Sequence, residues 1–248
     1  MKLFGLIGYP LSHSFSKTYF AAKFEKENIH DCKYENFPID SIDKFPELIK
    51  ENRNICGLNV TIPYKEQIIK FLDELDEPVK NIGAVNTIKF INKNNNILLK
   101  GYNTDVYGFE NSLRPLLTEN HKNALILGTG GASKAIKYVL KKLNIGFISA
   151  SIEELKENEI RYEDITPELI KNTMLIINAT PLGTFPNIDT YPKIPYEYID
   201  KHHLLFDLVY NPEISMFLKK GLDRGAVIKN GLEMLHLQAE KAWEIWNT

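Results

Sequence analysis

The sequence predicts an α/β protein of two domains, and three observations carry that prediction. Short apolar runs alternate with helix-period segments along the chain, the pattern of strands covered by helices on both faces. A glycine-rich turn, Gly128-Thr129-Gly130-Gly131, lies mid-chain between a strand pattern and an amphipathic helix pattern. A complete set of strands precedes that turn, which puts a separate sheet before it and a domain boundary near Asp105.

The glycine turn organises the rest. Ala124 to Leu127 form an apolar run suited to a strand buried on both faces. After the turn, Ala132, Ala135, Ile136, Val139, Leu140 and Leu143 fall on one face of a helix. Backbone N–H groups of such a turn, together with the helix dipole, form a phosphate cradle. A tight strand-to-helix turn without a ligand has the same local pattern. The third glycine of the dinucleotide pattern is replaced by Ser133, which is small enough to keep helix and strand close.

Before the turn, Leu3–Ile7 reads as a strand stopped by Gly8-Tyr9-Pro10, and a helix follows Ser12-His13-Ser14-Phe15-Ser16. Serines there serve as caps, and spare hydroxyls are also able to hold a small anion. Lys33–Ile39 and Ile55–Val60 read as strands, with a helix between them over Ser41–Asn52. Pro63 suits a helix start, which sets Asn59, Thr61 and Lys65 at a strand-to-helix junction, where an α/β sheet opens its crevice. Alone, Lys65 is also readable as a solvated lysine, and Asp105 as the cap of a helix reaching about Leu117. Asn86 stands at another turn-to-strand junction, followed by a hairpin about Asn92–Asn96. After the turn come strands at Gly146–Ser149, Met174–Ile177, Leu204–Asp207 and Ala226–Lys229. Helices start at Thr166-Pro167 and span Ile214–Arg224, and a last one opens near Gly231.

With 248 residues, 44% hydrophobic and 25% charged, the chain has material for real cores. A formal charge of −2 gives no electrostatic case for nucleic acid, and no stretch approaches a membrane span. Cys32 and Cys56 fit no metal-ligand spacing, so no metal is expected, and two thiols in a chain this size read as reduced and cytoplasmic.

The ordered motifs Gly8-Tyr9-Pro10 with Ser12–Ser16, Asn59–Lys65, Gly83–Thr87, Gly101–Asp105, the glycine turn, Asn178–Gly183, Asp207–Pro212 and Gly231–Leu235 with Gln238-Ala239 resemble those of the shikimate dehydrogenases over nearly the whole length. The resemblance implies an N-terminal substrate domain over residues 1–105, completed by the last helix at 231–248. It implies a Rossmann-like NADP-binding domain over 106–230, with the active site in the cleft between the two. It implies reversible NADPH-dependent reduction of 3-dehydroshikimate to shikimate, in aromatic amino-acid biosynthesis, by a monomer or homodimer. Carried over by motif, Lys65 and Asp105 form the catalytic pair. Ser14, Ser16 and Tyr210 hold the substrate carboxylate, and Thr61, Asn86 and Gln238 hold the ring hydroxyls. Gly128, Thr129, Gly130, Gly131, Ala132, Ser149, Thr180, Leu208 and Gly231 line the cofactor.

The chain departs from the family pattern at two places. Lys17 replaces a proline after the serines. Ala150 stands where the family carries an arginine for the 2′-phosphate of NADP, with Glu153 and Glu154 close by, so NAD is not excluded. A quinate/shikimate dehydrogenase with relaxed cofactor use is a related reading. A non-catalytic nucleotide-sensing relative is another, against which the presence of both Lys65 and Asp105 counts.

Overall fold

The computed structural model describes residues 1–11, 15–93 and 96–248. It divides into two compact units, one of Met1–Thr104 with Ala239–Thr248 and one of Asp105–Gln238.

The first unit comprises β1 (Lys2–Gly8), α1 (Phe15–Lys26), β2 (Cys32–Pro38), α2 (Phe45–Glu51), β3 (Ile55–Val60), β4 (Glu74–Leu75), α3 (Glu77–Ile82), β5 (Thr87–Lys93) and β6 (Asn96–Tyr102). Its sheet runs β2-β1-β3-β5-β6-β4. β1 is parallel to β2 and β3, but β5 is antiparallel to both β3 and β6. The sheet is therefore mixed, where the alternation of strands and helices predicts a parallel one. No helix separates β5 from β6, and without a crossover two successive strands pair antiparallel. Alternate residues of β1 feed opposite faces: Leu3 and Ile7 join Leu58, Ile68 and Ile88 on one side, while Phe4 and Leu6 join Phe20 and Phe24 on the other.

Two expected helices change character. Ser41 caps a short 3-10 turn at Ile42–Lys44, accepting from the Asp43 amide at 3.3 Å, and α2 begins only at Phe45. Pro46 in its first turn has no N–H to extend a helix back toward Ser41. After β3 the chain closes a turn, with Tyr64 N donating to Thr61 O and Thr61 N to Ile7 O, both at 2.9 Å. The helical turn that follows is 3-10, over Gln67–Phe71. Lys65 thus sits in a turn and not at a helix start.

The second unit comprises α4 (Asp105–Leu113), β7 (Asn123–Leu127), α5 (Gly131–Lys142), β8 (Gly146–Ser151), β9 (Glu159–Arg161), α6 (Pro167–Asn172), β10 (Leu175–Asn178), β11 (Leu204–Asp207), α7 (Met216–Leu222) and β12 (Val227–Lys229). Its sheet, β12-β11-β10-β7-β8-β9, is parallel throughout. Both faces are covered: Ile126, Ile177 and Phe206 lie in one core, and Leu125, Ile176 and Leu205 in the other. That explains why these strands read as unbroken apolar runs. The strand order reverses beside β7, the Rossmann switch point. The last helix, α8 (Leu232–Asn247), places Met234 in the core of the second unit and Ala242 and Trp246 in the core of the first.

Gly57 of β3 shows why that position tolerates no side chain. A Cβ there would stand 2.3 Å from the Trp246 ring, whose Nε1 donates to Ile88 O at 3.0 Å. Gly57→Ala should cost roughly 1–3 kcal/mol through overpacking, seen as a drop of several degrees in thermal unfolding. An unchanged midpoint would mean that Trp246 is free to move and does not lock α8 to β3.

Candidate active site

Polar side chains of the first unit converge where β1, β3 and β6 end and β5 begins. Asn59 pairs with Thr87, and Thr87 with Tyr102, so these ends meet in register. Asn86 is buried to 3% exposure, and its amide oxygen accepts from Thr104 N at 2.7 Å and from the Thr104 and Thr87 hydroxyls at 3.1 Å each. Any ligand group that Asn86 reads must therefore meet its NH2 and be an acceptor. Asn59 donates to Asn86 O and to the Thr87 hydroxyl, both at 3.2 Å, and accepts from the buried Tyr34 hydroxyl at 2.8 Å. Burial pushes the Tyr34 phenol up, and a hydrogen bond with Ser16 acts the other way. Ser16, Asn59, Asn86 and Thr104 are thereby linked through one chain of hydrogen bonds.

Thr61 and Lys65 join this end through the backbone. Val85 N donates to Lys65 O at 2.7 Å, and Tyr9 N donates to Ile62 O at 3.1 Å. A Cβ on Gly8 would stand 2.4 Å from Thr61 Cγ2, so only glycine lets β1 end so close to Thr61. Ser14 lies outside the described residues. Asp105 is buried at the first turn of α4, one residue beyond the Thr104 amide that Asn86 holds.

In the second unit, candidate residues again follow strand ends. Gly128 follows β7, Thr180 lies just past β10, Leu208 follows β11 and Gly231 lies just past β12. They are packed together: a Cβ on Gly128, whose φ is +102°, would meet Thr180 Cγ2 at 2.9 Å, and one on Gly231 would meet Leu208 O at 2.2 Å. A Cβ on Gly130 would meet nothing within 4 Å, so the turn faces open space there. Gly130 leads into α5 with no side-chain cap on the helix amides. A glycine turn of this shape, with uncapped amides at the N-terminus of a long helix, fits the pyrophosphate of a dinucleotide. Tyr210 is half-buried, and burial pushes its phenol up. Gln238 is buried, with Nε2 donating to Leu235 O at 3.0 Å.

Ser149 and Ala150 are placed differently from what a ligand-facing role requires. Both are fully buried, Ala150 in an apolar core, and the Ser149 hydroxyl has no hydrogen-bond partner among the described residues. β8 runs on to Ser151, whose Oγ lies 3.2 Å from Thr129 Oγ1. The strand end beside the glycine turn is thus Ser151, with Ile152 beyond it 85% exposed.

A Rossmann-type sheet with a glycine turn at its switch point, in a chain whose other unit gathers amides, hydroxyls and a lysine at its strand ends, defines a dinucleotide-dependent oxidoreductase of a small polar substrate. Residues 6–88 match the shikimate dehydrogenase substrate binding domain. The chain belongs to the shikimate dehydrogenase family. A shikimate dehydrogenase (NADP(+)) of Methanococcus maripaludis is 38% identical over 267 residues, covering 99% of this chain and 91% of its own length. The crystal structure of shikimate dehydrogenase 1 from Peptoclostridium difficile is 39% identical, with a TM-score of 0.82 over 100% of this chain and 92% of that one. That of the Thermus thermophilus enzyme in complex with NADP(H) and shikimate is 28% identical, with a TM-score of 0.84 over 99% and 93%.

One buried acid escapes sequence reading. Asp207, at the end of β11, accepts from Asn178 Nδ2 at 2.9 Å, from Val209 N at 3.0 Å and from the Ser215 hydroxyl. Burial outweighs these donors and raises its carboxyl from 3.8 to about 6. The folded protein then holds this proton to higher pH than the unfolded chain, so the contribution to stability is full below the unfolded value and is lost as pH rises through about 6. Wild type should therefore lose thermal stability relative to Asp207→Asn between pH 4 and pH 6, by a few degrees. A difference that stays flat across that window would show Asp207 to be ionised throughout.

Proposed function

We propose that this chain catalyses the reversible NADPH-dependent reduction of 3-dehydroshikimate to shikimate. The observation that supports the reading is the hydrogen-bonded chain Ser16–Tyr34–Asn59–Asn86–Thr104, which gathers polar groups at one strand end, with Asp105 next in the chain and Lys65 tied to the same end through Val85. Whole-length similarity to proteins named shikimate dehydrogenase (NADP(+)) supports it.

Ser14, Ser16 and Tyr210 would offer hydroxyl donors to the substrate carboxylate. Neutral donors hold an anion less tightly than a cation does, which suits a ligand that must leave. Thr61, Asn86 and Gln238 would read the ring hydroxyls, Asn86 as a donor only, because its amide oxygen is taken. The amides from Gly128 to Ala132 would hold the pyrophosphate, and Thr180, Leu208 and Gly231 would complete the wall of the cofactor site. Ser149 would act from beneath, as a small residue within β8. The nicotinamide supplies the hydride in reduction and takes it back in oxidation.

Negative charge develops on the carbonyl oxygen as its carbon is reduced, and a proton must reach that oxygen. Lys65 would provide both a positive field and the proton at Nζ. Its main chain is tied to Val85, beside Asn86, so the ammonium starts from a fixed point. The Asp105 carboxylate would orient that ammonium and take the hydroxyl proton in the reverse direction.

The test follows reduced-nicotinamide absorbance with shikimate or quinate, each with NADP or NAD, in wild type, Lys65→Ala, Asp105→Asn and the double variant. Wild type should turn over shikimate with NADP. Each single change should lower kcat about a hundredfold or more. The double should cost much less than the product of the two, since the second loss strikes a pair already broken. Retained kcat in Lys65→Ala, or multiplicative losses, would remove the pair. No turnover of either acid by the folded wild type would remove the reading.

A further inference from the structure

The turn after β8 carries no arginine. β8 ends at Ser151, residues 152–158 form an exposed turn without a helix, and the chain returns at once as β9. The pairing is Ser149↔Glu159, Ala150↔Ile160 and Ser151↔Arg161. Paired residues of adjacent strands face the same side of a pleated sheet. Ser151 faces the glycine turn, since its Oγ is 3.2 Å from Thr129 Oγ1. Arg161 therefore leaves the sheet on that same side, at the edge where the strands end.

Its guanidinium is aimed further by the turn. Nη1 donates to the Glu153 carbonyl at 2.7 Å, and Ser151 Oγ accepts from Glu153 N at 3.1 Å. Thr129, Ser151, Glu153 and Arg161 thus form one connected group beside the phosphate cradle. The carbonyl partner is neutral and leaves the positive charge whole. Among the described residues no carboxylate lies within ion-pair distance of this guanidinium, and the nearby Asp164 carboxylate accepts instead from the Arg161 backbone amide at 3.2 Å. Arg161 is only half-buried, so the remaining donors of its planar fork reach solvent. On α5, Lys137 is committed to Glu159 at 2.9 Å, and Lys134 lies one turn nearer the glycine turn. Arg53, Arg114 and Arg224 belong elsewhere: Arg53 to the first unit, Arg114 to an ion pair with Glu110 on α4, Arg224 to the segment after α7.

In a Rossmann sheet the end of the second strand, about 20 residues beyond the first glycine, is where the adenosine ribose is read, by an acid for a diol or an arginine for a 2′-phosphate. Ser151 occupies that end, and Arg161 stands beside it. We propose that Arg161, carried by the third strand of this sheet, reads the 2′-phosphate of NADP in place of the arginine lost at Ala150. The inference rests on the reading of the second unit as the NADP-binding unit. It also gives Glu153 a part, since its main-chain carbonyl holds the phosphate reader.

Calorimetric titration of the full chain with NADP+ and with NAD+, in the absence of substrate, tests this. Wild type should bind NADP+ more tightly. Arg161→Ala should weaken NADP+ by about tenfold or more, the scale of a lost charge-assisted contact, and leave NAD+ within about twofold. Arg161→Lys, which keeps the charge and loses the fork, should fall between them and serves as the test if Arg161→Ala does not fold. Adding Ile152→Arg to Arg161→Ala, at the exposed position after β8, should restore part of the NADP+ affinity. A wild-type preference for NADP+ that persists in Arg161→Ala and in Arg161→Lys would overturn the assignment and point to another reader such as Lys134. Equal losses for both nucleotides would make Arg161 a support of the turn only, and overturn it as well. A wild type that binds neither nucleotide would instead remove the reading of the second unit.

Discussion

Asn86 holds three donors on one buried amide oxygen, and the first unit is arranged around that fact. The bond from Thr104 N fixes the exit of β6, the Thr87 hydroxyl fixes the entry of β5, and the Asn86 carbonyl accepts from Val60 N at the end of β3. The ends of β3 and β6, far apart in sequence, are pinned to the entry of β5 by one residue. A buried carbonyl or amide oxygen left unmet would be costly, so Asn86 is satisfied only when Thr104 and Thr87 meet its side chain and Val60 its main chain. Lys65 and Asp105 leave from two of the segments so pinned: the turn after β3, tied back at Val85, and the exit of β6. The main-chain position of Lys65 is thus a consequence of the sheet.

The second unit works by close approach more than by hydrogen bonds. Four parallel strands end in residues that touch: Gly128 against Thr180, and Gly231 against Leu208. Positive φ at Gly128 and the lack of a Cβ at Gly231 are what let backbone come so near to backbone. Asp207 lies beneath this surface and organises the loop after β11 through Asn178, Val209 and Ser215. Its burial and its three donors make it a structural acid.

Much of this was legible in the sequence because apolar runs and glycine positions report burial directly. β3 and β11 have the bounds that their apolar runs suggest, and the glycine turn lies where its pattern places it. The reading failed where local pattern and tertiary contact disagree. Pro63 reads as a helix start, yet the Thr61 and Tyr64 bonds close a turn there. β4 and β9, at Glu74–Leu75 and Glu159–Arg161, are too short and too polar to show a period, and exist because β6 and β8 offer them an edge. Missing β9 also hid Arg161, which is ten residues beyond Ser151 in the chain and its direct neighbour in the sheet. The family pattern puts the arginine of the cofactor site at Ala150, while the apolar run ends the strand at Ser149. Two further residues of β8 turn that side chain into the core.

The proposed function depends most directly on Asn86 meeting the substrate with its NH2 while its oxygen stays in the network. Side-chain amide resonances of 15N-labelled protein, assigned through Asn59→Ser and Asn86→Ser, report this directly during a titration with shikimate. The Asn86 NH2 signals should move in a saturable way, and those of Asn59, whose NH2 is spent on Asn86 O and Thr87, should move far less. Asn86 signals that remain in place at saturating shikimate would contradict the account.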